Sequence, residues 1–277
     1  MTIVEQLVQP GKGDLSSCED ALVVTSHYAA VIDGASCKTE RRYEGLTPGR
    51  MAVRLLSNGI ETLREGADLP EALKHLTASI RTYYEAHDLL QRVKELPHER
   101  ITASVAIFSR ARRQVWMIGD CMCLVDTEYY TNPILVDEIL AQTRALFLEL
   151  ELLNGTSVDE LMRNDPGRAF LMPLLVRQMA LQNAPPGTPF AYSVLNGFDV
   201  PIQRVKVIDV PHDAKTLVLG TDGYPQLYPT LAETEAALRK VLAQDPLCIR
   251  DHPSTKGLYE GNASFDDRAY LRLRLDG

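Results

Sequence analysis

The sequence of 277 residues lacks several features that would assign it to a class at once. It contains no apolar run near the roughly 18 residues that a transmembrane helix needs. Its first segment, MTIVEQLVQPGKGD, lacks the basic start and long apolar stretch of a secretion signal, so we expect a cytoplasmic protein. An excess of basic charge is also missing, because the net charge is −8 at pH 7. We therefore expect neither nucleic acid nor an anionic membrane as partner.

Cysteine is scarce, and its spacing excludes a disulfide framework. The five cysteines are an odd number, and no regular spacing relates them. Two of them, Cys121 and Cys123, lie in one strand-like run and would face the same side. Neither a second pair nor a nearby histidine completes a zinc set. We expect buried, reduced thiols.

No internal repeat or linker divides the chain, so we predict a single domain over residues 1–277 with a helical insert at about 136–198. The pattern predicts strands at 21–25 and 28–32, then a helix capped by Thr47 and a helix at 70–93. Two β-rich runs joined by the turn RARR follow, and then helices between 136 and 183. After these come strands including 190–197, a helix from Thr230 with Glu233 in a capping box, and a last strand. This order is not a βαβ alternation. It indicates an α+β fold whose sheets carry helices on their outer faces.

Carboxylates recur where apolar runs end. They are Glu19 with Asp20, Asp33, Asp120, Asp222, and Asp266 with Asp267. Strand ends can bring distant parts of a chain into one cleft, where clustered carboxylates would repel one another and have raised pKa values. Divalent cations remove that repulsion, and an oxygen-only ligand set favours Mg²⁺ or Mn²⁺. Two such ions roughly 3.5–4 Å apart can activate a water and bind a phosphoryl group.

Glycine follows two of these aspartates, as Asp33–Gly34 and Asp222–Gly223. Glycine lets the backbone turn sharply beside a ligand, and the carbonyl of Gly34 can itself be a ligand. Each motif alone also fits an ordinary turn, a helix cap or the protection of an edge strand. On that alternative the carboxylates would be scattered in space.

The ordered set of motifs resembles the metal-dependent type 2C protein serine/threonine phosphatases, the PPM family. The motifs are CEDALVV, AAVIDGAS, ITASVAIF, WMIGDCMCLV, LVLGTDGYPQLY and FDDRAYLRLRL, which together span residues 19–274. The resemblance implies a four-layer α-β-β-α sandwich of two antiparallel sheets flanked by helix pairs. It also implies that the insert lies where the family carries a flap beside the cleft.

The resemblance assigns roles to the carboxylates. Asp33 would bridge two Mg²⁺ or Mn²⁺ ions, and Asp222 and Asp266 would complete the ligands of one ion and share in catalysis. Glu19 and the carbonyl of Gly34 would hold the other ion. The remaining three carboxylates have supporting places: Asp20 would orient metal-bound waters, Asp120 would help hold a third ion, and Asp267 would stand beside Asp266.

Two departures from the family pattern concern the residue that binds the substrate phosphate and the residue implicated as general acid for the leaving group. The family carries an arginine shortly before the acidic pair, whereas here the nearest cation is Lys12, which binds phosphate without a bidentate fork. Ala35, Ser36 and Cys37 replace a His-Gly-Gly sequence whose histidine is implicated as a general acid. A phosphate contact from an insert arginine (Arg163, Arg168 or Arg177) or from Ser254 or Lys256 remains open beside the interpretation of these residues as solvated.

The expected substrate is a phosphoserine or phosphothreonine protein, hydrolysed by a water activated between two metal ions. One alternative keeps the chemistry and changes the substrate to a small phosphorylated metabolite. Another is a pseudophosphatase, in which the fold serves as a regulatory binding module.

Overall fold

The structure is a computed structural model that describes residues 1–36 and 38–276. Cys37, expected as a buried thiol, lies outside the described residues. Two antiparallel sheets form the centre. They are named sheet A and sheet B, and each has five strands, given below in their order across the sheet.

Sheet A contains strands from near both ends of the chain and from its middle. Its strands are β1 (Thr2–Gln9), β10 (Arg268–Arg274), β9 (Thr216–Gly220), β6 (Met122–Val125) and β7 (Glu128–Tyr130). Sheet B contains β2 (Asp20–Val24), β3 (Tyr28–Gly34), β4 (Ala103–Ser109), β5 (Gln114–Ile118) and β8 (Lys206–Asp209). The predicted RARR turn, residues 110–113, joins β4 to β5.

The inner faces of the two sheets pack together and exclude water. Val31 and Phe108 of sheet B pack in one cluster with Leu219 and Leu271 of sheet A. Cys121 and Cys123 belong to the same cluster. They are buried free thiols, as are Cys18 and Cys248, so the prediction of reduced cysteines is confirmed for the four that are described.

Helices cover the outer faces. Over sheet B lie α1 (Pro48–Glu61) and α2 (Leu69–Ala86), which pack on Ile32 and Trp116. The helix over sheet A (Leu231–Gln244, α7 in chain order) places Leu238 against Val218 and Tyr270. The predicted α+β sandwich is therefore confirmed, as are the Thr47 cap and the capping box of Thr230 with Glu233.

Two local predictions were wrong. The helix predicted over 70–93 ends at Ala86, and a short α3 (Leu90–Glu95) follows, because Asp88 adopts a φ of 54° that no helix permits. The strand predicted at 190–197 keeps only isolated bridges. There the side chain of Asn183 accepts from the nitrogen of Val194 and donates to its carbonyl, which replaces the hydrogen bonds of a neighbouring strand.

Three α-helices lie between β7 and β8. They are α4 (Leu135–Leu153), α5 (Val158–Arg163) and α6 (Pro166–Arg177), with α4 and α6 packed through Leu140, Leu171 and Leu175. No helix in the described part of the chain is long and apolar enough to cross a membrane.

Candidate active site

Three aspartates from three separate strand ends meet between the sheets. Asp33 lies near the end of β3, Asp222 follows β9, and Asp120 lies where the chain crosses from β5 of sheet B to β6 of sheet A. One carboxylate oxygen from each lies within 4.8 Å of the others. This is the one such group of potential metal ligands in residues 1–36 and 38–276. The alternative of scattered carboxylates is therefore excluded for these three.

Glycine makes the crossing at Asp120 possible. Gly119 has a φ of 87°, a region that a side chain rarely adopts. A Cβ at this position would also collide with the side chain of Ser104 on β4. Ser104 in turn hydrogen-bonds the Asp120 carboxyl. The sharp turn and this bond together direct Asp120 toward Asp33 and Asp222.

Burial raises the pKa of Asp33 well above its usual value, and the charges of Asp222 and Asp20 raise it further. The pKa of Asp222 is also raised, first by burial and then by the charges of Asp120 and Asp266. Carboxylate oxygens of Asp33 and Asp222 lie within 4.8 Å of each other, so their charges repel when both are ionised. A site of half-buried, mutually repelling oxygens fits one or more hard divalent cations, because a bound cation would compensate for that repulsion.

The acidic pair at the start of the chain flanks this group. Asp20 is buried opposite Asp33 in the β2–β3 register and accepts a 2.6 Å hydrogen bond from the Thr221 hydroxyl. Glu19 is half-buried, and its carboxylate accepts from the hydroxyl of Thr47 at the start of α1. Burial is the main cause that raises the pKa of Glu19, while the Lys256 charge opposes the increase.

The two aspartates of the closing pair, Asp266 and Asp267, make different contacts. Asp266 lines the same cleft as Asp33 and forms an ion pair with Lys256. Asp267 instead accepts hydrogen bonds from the nitrogens of Gly11, at 2.8 Å, and Glu19, at 2.6 Å. Asp267 therefore holds the segment that presents Glu19.

Gly34 and Lys12 occupy different surroundings. Gly34 is buried at the end of β3, and its nitrogen donates to the Glu19 carbonyl at 2.8 Å, which keeps the two predicted ligand positions adjacent. Lys12 lies on an exposed stretch and is not among the residues that line the cleft.

The cleft above the aspartates has a volume of about 420 Å³, and the insert forms one of its walls. From the insert come Asp137 and Arg168, and from elsewhere come Lys38 and Lys256. Burial and the Asp120 charge raise the pKa of Asp137 to about 6, although it accepts a 2.8 Å hydrogen bond from Gln178. Two other insert arginines considered from sequence, Arg163 and Arg177, are exposed and do not line the cleft.

Sequence reasoning missed three residues that line the cleft: Lys38, Asp137 and His252. Burial lowers the pKa of His252 below its usual value. It lies beside Phe265, with ring centroids 5.5 Å apart. The segment RDHPSTKG, rich in polar and cationic residues, was the available signal for His252. The sequence around Lys38 and Asp137 carries none, because neither adjoins a glycine or a strand end.

A buried ion pair fixes the loop that carries His252 and Lys256. Arg144 of α4 contacts Asp165 at 2.7 Å, and both side chains are almost fully buried. The same guanidinium donates to the carbonyls of Leu247 at 2.8 Å and Ser254 at 3.0 Å. The insert and the cleft loop are thereby held as one unit.

Comparison with known proteins bears on the fold. No protein-family model and no curated protein sequence matches the chain. A crystal structure of a bacterial serine phosphatase is 11% identical, with a TM-score of 0.50, and the match covers 99% of this chain and 97% of that one. The serine/threonine phosphatase Stp1 from Staphylococcus aureus is 12% identical over 100% of this chain and 96% of its own, with a TM-score of 0.49. The Mycobacterium tuberculosis serine/threonine phosphatase PstP is 15% identical over 99% of this chain and 98% of its own, with a TM-score of 0.45. The fold that the motif order implied is thus confirmed, and the chain shares the fold of a bacterial serine phosphatase.

Proposed function

We propose that the chain is a divergent type 2C (PPM-family) phosphatase that uses Mg²⁺ or Mn²⁺ to hydrolyse phosphomonoesters, with phosphoserine or phosphothreonine in proteins as substrate. The observation that carries the proposal is the convergence of Asp33, Asp120 and Asp222 within 4.8 Å, from strand ends of both sheets. Unlike a turn or a cap, this arrangement places half-buried like charges together, which costs free energy unless a cation compensates for it.

In this proposal Asp33, Asp222 and Asp266, with Glu19 and the carbonyl of Gly34, would hold two ions. Asp120 helps to hold a third. Bound there, such ions lower the pKa of a shared water and stabilise the charge of the phosphoryl group. Asp20 orients metal-bound water, supported by the Thr221 hydroxyl. Asp267 positions Glu19 through the backbone contact described above.

The insert, residues 136–198, acts in this proposal as a flap within a single domain of residues 1–277. It borders the cleft through Asp137 and Arg168 and is joined to the opposite loop through Arg144. The flap therefore selects what reaches the aspartates. A cleft of about 420 Å³ also falls in the range of roughly 300–1,000 Å³ typical of small-molecule sites. A small phosphorylated metabolite is accordingly the second candidate substrate.

Phosphate release from several substrates tests the proposal. The purified chain is assayed with phosphoserine, phosphothreonine and phosphotyrosine peptides and with sugar phosphates, each in EDTA, Mg²⁺ or Mn²⁺. We expect metal-dependent release from the phosphoserine or phosphothreonine peptide. Release from sugar phosphates alone would establish the metabolite alternative. No release from any substrate, in a folded sample that binds Mn²⁺, would contradict catalysis and favour the regulatory binding module.

A further inference from the structure

Three cationic side chains converge on the cleft beside the aspartates. Lys38 follows β3, Arg168 comes from α6 of the insert, and Lys256 comes from the loop before β10. All three line the same cleft as Asp33, Asp222 and Asp266, and all three are half-buried. The positive charge therefore comes from three parts of the chain that are distant in sequence.

Short contacts connect the three cations. The Lys38 ammonium donates to the carbonyl of Ser36 at 3.0 Å, and the Lys256 ammonium donates to the Ser36 hydroxyl at 3.2 Å. Arg168 donates to the carbonyl of Thr255, the residue before Lys256, at 2.7 Å. Ser36 and Thr255 thus hold the charged groups on one side of the cleft.

In the part of the chain that the structure describes, one of these three cations has an ion-pair partner. Lys256 pairs with Asp266. In the described part of the chain, neither Lys38 nor Arg168 lies within ion-pair distance of a carboxylate. The charges of Arg168 and Lys256, together with the larger effect of burial, lower the pKa of Lys38 to about 8. An anion bound among the three would remove this repulsion, and the guanidinium and ammonium groups retain N–H donors for it.

We propose that Lys38, Arg168 and Lys256 form the subsite that receives the non-bridging oxygens of the substrate's phosphoryl group. This inference rests on the proposed phosphatase function. It assigns phosphate binding to the cleft loop and the insert, and not to Lys12 ahead of the acidic pair. Because Arg168 belongs to α6, the insert contributes directly to substrate binding.

Calorimetric titration of inorganic phosphate, in the presence of Mn²⁺, tests the subsite. Arg168→Gln and Lys38→Gln should each weaken phosphate binding by about tenfold to a hundredfold, the usual loss for a hydrogen bond between charged groups. The matched controls are Arg177→Gln, an exposed arginine on the same helix, and Lys240→Gln, an exposed lysine of α7. Both controls should stay within about twofold of the wild type. Arg168→Lys should recover part of the affinity, since it keeps the charge and loses the fork.

Steady-state hydrolysis of p-nitrophenyl phosphate gives a second readout. Arg168→Gln and Lys38→Gln should raise KM or lower kcat/KM, while Mn²⁺ affinity stays unchanged. Phosphate affinity unchanged in both variants would overturn the proposal, and so would an equal loss in the two controls. A loss in Lys12→Gln alone would return the site to the N-terminal segment. Phosphate titration needs no turnover, so the subsite and the phosphatase activity can fail separately.

Discussion

The Thr221 hydroxyl of the segment after β9 donates a 2.6 Å hydrogen bond to the Asp20 carboxylate of β2, so one side chain joins the two sheets beneath the cleft. The same oxygen accepts from the nitrogen of Ala269 on β10 at 2.8 Å. Thr221 is fully buried, and Asp20 is 5% exposed. The acidic pair is therefore located by a contact between separate motifs, which neither motif shows by itself.

Thr221→Val should destabilise the protein by about 1–3 kcal/mol, because it leaves two buried polar groups without a partner. Urea denaturation in EDTA measures the change in the free energy of unfolding. Thr221→Ser keeps the hydroxyl and serves as the control, with a smaller loss. Equal losses in the two variants would contradict a specific contribution of the hydrogen bond, because Thr221→Val removes the hydroxyl and Thr221→Ser keeps it.

The stability of the metal-free protein should fall as the pH rises. The pKa of Asp222 is raised from 3.8 to about 7 in the folded chain, and those of Asp33 and Asp20 are also raised. Between about pH 4 and pH 7 the unfolded chain therefore releases protons that the folded chain retains, which favours unfolding. Urea midpoints at pH 5 and pH 8 in EDTA measure this.

Two further results belong to the same experiment. The double variant with Asp33→Asn and Asp222→Asn should lose less stability between pH 5 and pH 8 than the wild type, because the repelling carboxyls are gone. Mn²⁺ should raise the midpoint of the wild type more at pH 8 than at pH 5, because cations compete with the retained protons. A metal-free midpoint that rises toward pH 8, or a slope unchanged in the double variant, would contradict this electrostatic description.

Gly119→Ala tests the crossing that presents Asp120. The substitution places a side chain at a φ of 87° and against Ser104. A residue at left-handed φ costs roughly 1–2 kcal/mol, and the collision should add to that figure. Gly155→Ala is the matched control, because Gly155 has a φ of 95° and open space around its Cβ position. Thermal unfolding should show the larger loss at Gly119, and equal losses would exclude the steric contribution.

Breaking the Arg144–Asp165 pair should cost about 3–5 kcal/mol, because either single substitution leaves a buried charge alone. Arg144→Met with Asp165→Leu should recover part of that loss, because it removes both charges but also the hydrogen bonds of Arg144 to the carbonyls of Leu247 and Ser254. The exposed pair Arg250–Glu149, at 2.7 Å, is the comparison, and Arg250→Gln should change the stability by less than about 1 kcal/mol. Urea denaturation of the four variants measures the difference. A loss at Arg144 no larger than that at Arg250 would show that the insert is not held in this way.

The sequence predicted the parts of the fold that depend on local patterns. Apolar runs located β3 and β4, and Thr47 and Thr230 marked helix starts through their own side chains. Strand β1 was missed, since none of its residues is fully buried and its pairing with β10 joins opposite ends of the chain. The strand expected at 190–197 was wrong, because the Asn183 side chain satisfies the backbone there.

The residues of the candidate site likewise divide into those that local sequence patterns predict and those that they do not. Asp33, Asp120 and Asp222 could be found because each follows an apolar strand in a recognisable order. Lys38 and Asp137 could not, since their places depend on how the insert and the loop after β3 fold over the cleft. Asp266 pairs with Lys256, whereas Asp267 accepts a hydrogen bond from the Glu19 nitrogen. This difference likewise depends on how the chain folds and not on the local sequence.

The most direct test of the account is the hydrolysis of p-nitrophenyl phosphate in EDTA, Mg²⁺ or Mn²⁺ by the wild type, Asp33→Asn and Asp222→Asn. The exposed Asp213→Asn is the control. We predict metal-dependent turnover that either cleft variant lowers by more than the roughly 10–100-fold that the loss of a supporting group costs, while the control keeps full activity. Turnover that persists in EDTA, or survives both cleft substitutions, would contradict a metal-dependent site at these aspartates.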